Sequence, residues 1–164
     1  MLKNEENGAI YFEASEKIET LSVEKWEYWL SELTPAYDVK TGCGTVYKAP
    51  LTDKDRADIR QFKEEIRLTI SSGIKKKVDR VNRIIELMTD YQADFEKFYP
   101  FTHFYILFEF SPEKPMEMGE MGDVIMELTE LLKDGGLAPT DYFWAAESVK
   151  DLGNNLKITV QAGR

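Results

Sequence analysis

Residues 101–110 read FTHFYILFEF, and the reading of this stretch decides the fold. Taken alternately, Phe101, Tyr105 and Leu107 fall on one side, and Phe104, Ile106, Phe108 and Phe110 on the other. A strand apolar on both sides belongs in the middle of a sheet covered on both faces. Its most apolar part, residues 104–108, is far too short to cross a bilayer.

Downstream, a Pro/Met/Glu-rich turn leads into an amphipathic helix with Met121, Val124, Ile125, Leu128, Leu131 and Leu132 on one face, stopped by Gly135 and Gly136. Residues 142–147 and 156–162 read as two strands joined through Leu152-Gly153-Asn154-Asn155. In the second, Leu156, Ile158, Val160 and Ala162 alternate with Lys157, Thr159 and Gln161, which predicts one face in water.

Upstream, residues 9–14 are rich in β-formers and predict a strand. Ser22 can cap a short helix carrying Val23, Trp26, Leu30 and Leu33, closed by Pro35, and residues 43–49 predict a second strand. Thr52 with Asp55 resembles a capping box opening a helix whose core face is Ile59, Phe62, Ile66 and Ile70. Ser71-Ser72-Gly73 punctuates, with glycine suited to the left-handed residue after a helix end. A longer helix over 74–98 then presents Ile74, Val78, Val81, Ile85, Met88 and Phe95 in four/three steps, broken only by Gln92.

The expectation is a single α/β (α+β) domain over 1–164, a mixed sheet with a long helical hairpin, in the order β-α-β-α-α-β-α-β-β. Residues 1–50 supply a strand-helix-strand unit, 53–98 the hairpin and 101–164 a C-terminal β-α-β-β unit. Hydrophobic residues at 43% and charged residues at 31% suit an ordinary globular chain. The start MLKNEENG is no secretory signal, and the lone Cys43 excludes internal disulfides and thiolate-built zinc sites, so a cytoplasmic location is expected. No cofactor, no metal and no membrane association is expected.

The net charge of −9 argues against a general nucleic-acid binder, yet the charge is unevenly placed. Between Lys54 and Arg83 ten basic residues face five acids, a net of +5, which leaves −14 for the remainder.

The stretch FYILFEFSPEKPMEMGEMGDVIMELTELLKDGG, followed by FWAAESVKDLGNNLKITVQAGR, resembles the C-terminal domain of the tubulin/FtsZ family over about residues 104–164. In that family a buried strand leads through a short loop into an acidic-starting amphipathic helix. Two strands follow, the last with an ITV-A-G pattern, matched by Ile158-Thr159-Val160 and Ala162-Gly163. The Gly-rich GTP-binding half is absent. Asp38-Val39-Lys40-Thr41 matches only the end of the catalytic-acid loop, whose earlier Asn and Asp fall at Leu33 and Pro35. The resemblance therefore implies a fold and protein contacts, without GTPase activity.

Two sets of site candidates follow. Arg56, Arg60, Lys63 and Arg67 share an arc on one expected helix, as Lys76, Arg80 and Arg83 do on the next. This basic stripe is either a docking surface for anions or an acidic partner, or a solvated face balanced by the chain's own acids. Ile74, Val78, Val81, Ile85 and Met88 form the candidate interface seam. Cys43 between Gly42 and Gly44 has His103 as its only imidazole and no orienting partner, so it supports no catalytic assignment. His103 reads as structural, Met116, Met118, Met121 and Met126 as core fillers, and Trp26, Trp29 and Trp144 as core or interface mass.

The functional expectation is a non-enzymatic protein-protein interaction or regulatory module that self-associates, its partner being another protein or itself. The alternative is an anion-binding module holding a nucleotide, polyphosphate or nucleic-acid backbone on the basic hairpin. A weaker alternative is a small enzyme without a recognisable motif.

Overall fold

The computed structural model describes residues 9–15, 44–47, 53–73, 79–133 and 142–164. Their strands are β1 (Ala9–Ser15), β2 (Gly44–Tyr47), β3 (Glu65–Ser71), β4 (His103–Phe110), β5 (Tyr142–Ser148) and β6 (Lys157–Gly163). Three helices, α1 (Asp53–Arg60), α2 (Arg80–Asp90) and α3 (Met118–Leu132), and a 3-10 helix (Gln92–Phe98) complete the list. All six strands join one mixed sheet in the order β1-β3-β6-β4-β5-β2.

Residues 101–110 behave as their pattern predicts. β4 lies between β6, antiparallel, and β5, parallel, with Phe104, Tyr105, Ile106, Leu107, Phe108 and Phe110 all buried. Register turns the alternation of neighbouring strands into rows. Leu68, Val160, Ile106 and Trp144 align across β3, β6, β4 and β5, and Ile70, Ile158, Phe108 and Ala146 form the next row. Against this face pack Val81, Ile84, Leu87 and Met88 of α2, Phe95 and Phe98 of the 3-10 helix, and Met121, Val124, Leu128 and Leu132 of α3.

The expected long helical hairpin is replaced by something shorter and flatter. Residues 65–71 form strand β3, because Ile66 and Ile70 satisfy both a four-residue and a two-residue period while Leu68 fits only the second. With Glu65, Arg67 and Thr69 between them, the alternation is that of a strand. Gly73 does adopt the left-handed conformation, φ 82°, but it follows a strand rather than a helix. There Asn155 Oδ1 accepts from Ser71 Oγ at 2.9 Å, Ser72 Oγ at 3.1 Å and the Gly73 N–H at 2.9 Å, pinning the β3–β6 end.

The second expected helix is divided. Asp79 caps α2 by accepting from the N–H groups of Val81 at 2.8 Å and Asn82 at 3.1 Å. The helix stops at Tyr91, and the chain tightens into the 3-10 helix from Gln92, the one polar interruption of the apolar spacing. α3 opens with a reciprocal capping box between Glu117 and Glu120. The expected helix over 22–33 lies outside the described residues.

β6 also departs from expectation. Thr159 and Gln161 are buried, so its polar side is not in water. Lying between β3 and β4, β6 is paired along both edges, and the burial of Thr159 and Gln161 shows that this part of the sheet is covered on both faces. No helix among the described residues is long and apolar enough to cross a membrane.

Candidate functional site

Among the described residues the basic stripe is dispersed by the fold. The side chains of Arg56 and Arg60, on α1, and Lys76 altogether lie outside the described residues. Lys63 is exposed in the loop after α1, and Arg67 points from β3 toward the face opposite α2 and α3. Arg83 pairs with Glu86 one turn along α2, at 3.0 Å. Arg80 is only 5% exposed and serves the fold. Its guanidinium donates to the carbonyls of Lys114 at 2.9 Å and Pro115 at 3.0 Å, and to the two carboxylate oxygens of Glu120 at 3.1 and 3.3 Å. It clasps the entry of α3 and cannot dock a partner.

The interface seam is largely spent as well. Val81 and Met88 are buried, Ile85 packs partly buried against the core, and Ile74 and Val78 lie outside the described residues. Cys43, Asp38, Trp26 and Trp29 lie outside them too, while Trp144 packs edge-to-face on Phe108 with ring centroids 5.8 Å apart.

The methionines divide into two pairs. Met116 and Met121 fill the core, but Met118 is 44% and Met126 58% exposed, and Tyr91 at 46% is the other exposed large hydrophobic residue among those described. Met118, Gly122 and Met126 stand four residues apart and form one row along the outer surface of α3. A Cβ at Gly119 or Gly122 would meet nothing within 4 Å, so packing within the fold demands neither glycine. Asp123, Glu127 and Glu130 line the same exposed side. The surface is acidic, bare at its middle and flanked by two flexible thioethers.

A second concentration of chemistry lies on the sheet face opposite α2 and α3. Gln161 Nε2 donates to the buried Glu65 Oε1 at 2.9 Å. Beside Gln161 in register stands Tyr105, and further along β4 Glu109 is flanked by Lys157 on β6 and Glu147 on β5. Burial, then the Glu147 charge, raises the Glu109 carboxyl above its ordinary value, with Lys157 opposing. Burial first, then Glu147 and Glu109, hold the Tyr105 phenol well above its ordinary value. These residues escape the sequence reading because strand register alone brings them together. Alternation places Tyr105 and Glu109 on one side of β4, and that was the single signal available.

A third feature is a groove of about 400 Å³ at the His103 end of the sheet, walled by Lys54, Asp58, Phe62 and Arg164. Among the described residues no cluster of three or more His, Cys, Asp or Glu could hold a metal ion. No protein family, curated protein or solved structure matches this chain.

Proposed function

We propose that the chain is a protein-contact module that self-associates, with the outer face of α3 on one copy receiving lysines of the 54–83 stretch of another, Arg67, Arg80 and Arg83 being engaged within their own copy. The observation that carries the reading is the Met118–Gly122–Met126 row, exposed on a helix whose inner face is fully engaged. Two glycines within a helix cost about 1 kcal/mol each relative to alanine. With no internal contact requiring them, they make sense as room for another backbone to approach. The acids around the row, and the opposite signs of +5 in residues 54–83 and −14 elsewhere, favour a second copy as the occupant. Such a head-to-tail contact is heterologous and can propagate beyond a dimer. The likeness of residues 104–164 to the C-terminal domain of a polymerising family supports the same reading, and the order β4, α3, β5, β6 agrees with it.

Sedimentation at graded salt tests the proposal. The expected result is concentration-dependent association at low ionic strength that dissolves as salt rises, because the contact is ionic at its rim. Met118→Asp with Met126→Asp should abolish association while leaving the melting temperature nearly unchanged. Reversal of Lys75, Lys76 and Lys77 to Glu should do the same from the other side. A chain that stays monomeric at high concentration and low salt refutes self-association. Association that survives both variants places the contact elsewhere.

A further inference from the structure

The groove at the His103 end is built from parts distant in sequence. Phe62, following α1, sets its ring edge-on to the His103 imidazole, with centroids 5.2 Å apart and planes at 60°. Beneath that ring lies Gly163, where a Cβ would collide with the Phe62 side chain, so the glycine is what lets the ring sit down against the sheet. His103 Nδ1 lies 2.9 Å from Thr102 Oγ1, and Nε2 lies 3.7 Å from Asp58 Oδ2, which Lys54 Nζ approaches at 3.0 Å. On the remaining wall the Arg164 guanidinium lies over the Phe101 ring, 5.2 Å from its centroid, and is held in place by Glu64.

We infer that this groove binds a small planar organic anion, an aromatic carboxylate being the simplest of the class. Three properties select it. The volume, about 400 Å³, falls in the range of small-molecule sites. Phe62 and the edge of His103 offer a flat apolar wall suited to a ring. The lining is rich in donors, with Lys54, Gln61, Thr102 and Arg164 against the single carboxylate of Asp58, so it suits a ligand with more acceptors than donors. Each cation has one carboxylate beside it, Lys54 with Asp58 and Arg164 with Glu64, so the groove is close to neutral in a chain of net charge −9, and an anion is repelled less here than over most of the surface. The inference is independent of self-association through α3.

His103 is the chain's single histidine, so its imidazole proton resonances report on the groove without ambiguity. Benzoate titrated against the full chain should move them saturably, with a Kd on the order of 1 mM. Acetate, with the charge but no ring, and benzamide, with the ring but no charge, should each bind at least about tenfold more weakly. Lys54→Gln and Arg164→Gln should each weaken benzoate severalfold, and Lys54 is exposed enough for its variant to fold normally. Gly163→Ala, which drives Phe62 from its seat, should abolish the response. Resonances that stay put to about 10 mM benzoate, or that move equally with acetate, overturn the inference. So does unchanged benzoate affinity in both charge variants.

Discussion

The two faces of the sheet are both buried at their centre, and they are held by different physics. Toward α2 and α3 the rows across β3, β6, β4 and β5 are wholly apolar, and each side chain contributes through area removed from water and close packing. On the other face the corresponding rows read Arg67, Gln161, Tyr105 and Ser71, Lys157, Glu109, Glu147. There each buried polar atom needs a partner, as Gln161 Nε2 has in Glu65 Oε1. One face is a sum of small contributions, and the other is conditional.

The comparison can be broken most forcefully at Phe108, fully buried between Trp144 and the helices. Phe108→Ala should cost about 3–5 kcal/mol in chemical denaturation, and a loss near zero would mean the apolar face is not close-packed. Next comes the clasp that fixes α3 to that face. Arg80→Ala leaves the Lys114 and Pro115 carbonyls and Glu120 without their donor, and should cost about 3 kcal/mol. Arg83→Ala, at an exposed pair, should cost well under about 1 kcal/mol. Equal losses would return Arg80 to the surface stripe.

On the conditional face, Gln161→Ala should cost about 1–3 kcal/mol by removing the donor to Glu65. Glu65→Gln in the same background should recover part of it, a rescue that no purely packed site would show. Glu109 sharpens the contrast through pH. Its carboxyl is raised in the fold, so the folded state holds a proton that the unfolded chain has already released. Its contribution is fully present below the ordinary glutamate value and is lost as pH rises through the folded value. Glu109→Gln should therefore flatten the fall in melting temperature on raising pH from weakly acidic toward neutral. An unaltered slope would place the titration elsewhere. An effect of opposite sign belongs to the outer side of α3. Gly122→Ala should stabilise the monomer by about 0.5–1 kcal/mol, since the added Cβ meets nothing, and should weaken association.

Much of this was legible where one period alone fits the residues. β4 and α3 are of that kind: a short run apolar on both alternating sides in one, apolar positions three and four apart in the other. β3 was misread because isoleucines four apart are in phase with strand and helix alike, and only Leu68 separates the two. Arg80 was misread because sequence shows its charge and spacing, whereas its partners arrive 34 to 40 residues later. The polar side of β6 was misread because alternation reports which side a residue faces and says nothing of what covers that side. The His103 groove was hidden for a related reason. Lys54, Phe62, His103 and Arg164 converge only after β3, β4 and β6 align at one end.

That alignment has a consequence in time. β6 is inserted between β3 and β4, although both precede it along the chain. During synthesis the two strands emerge with their inner edges lacking the strand that will join them, and closure awaits residues 157–163. Until then β3 can pair with β1, and β4 with β5, as separate halves. Made after both, β6 is the keystone that joins the sheet's two halves, and its long-range pairing with β3 closes one of the largest loops of the fold.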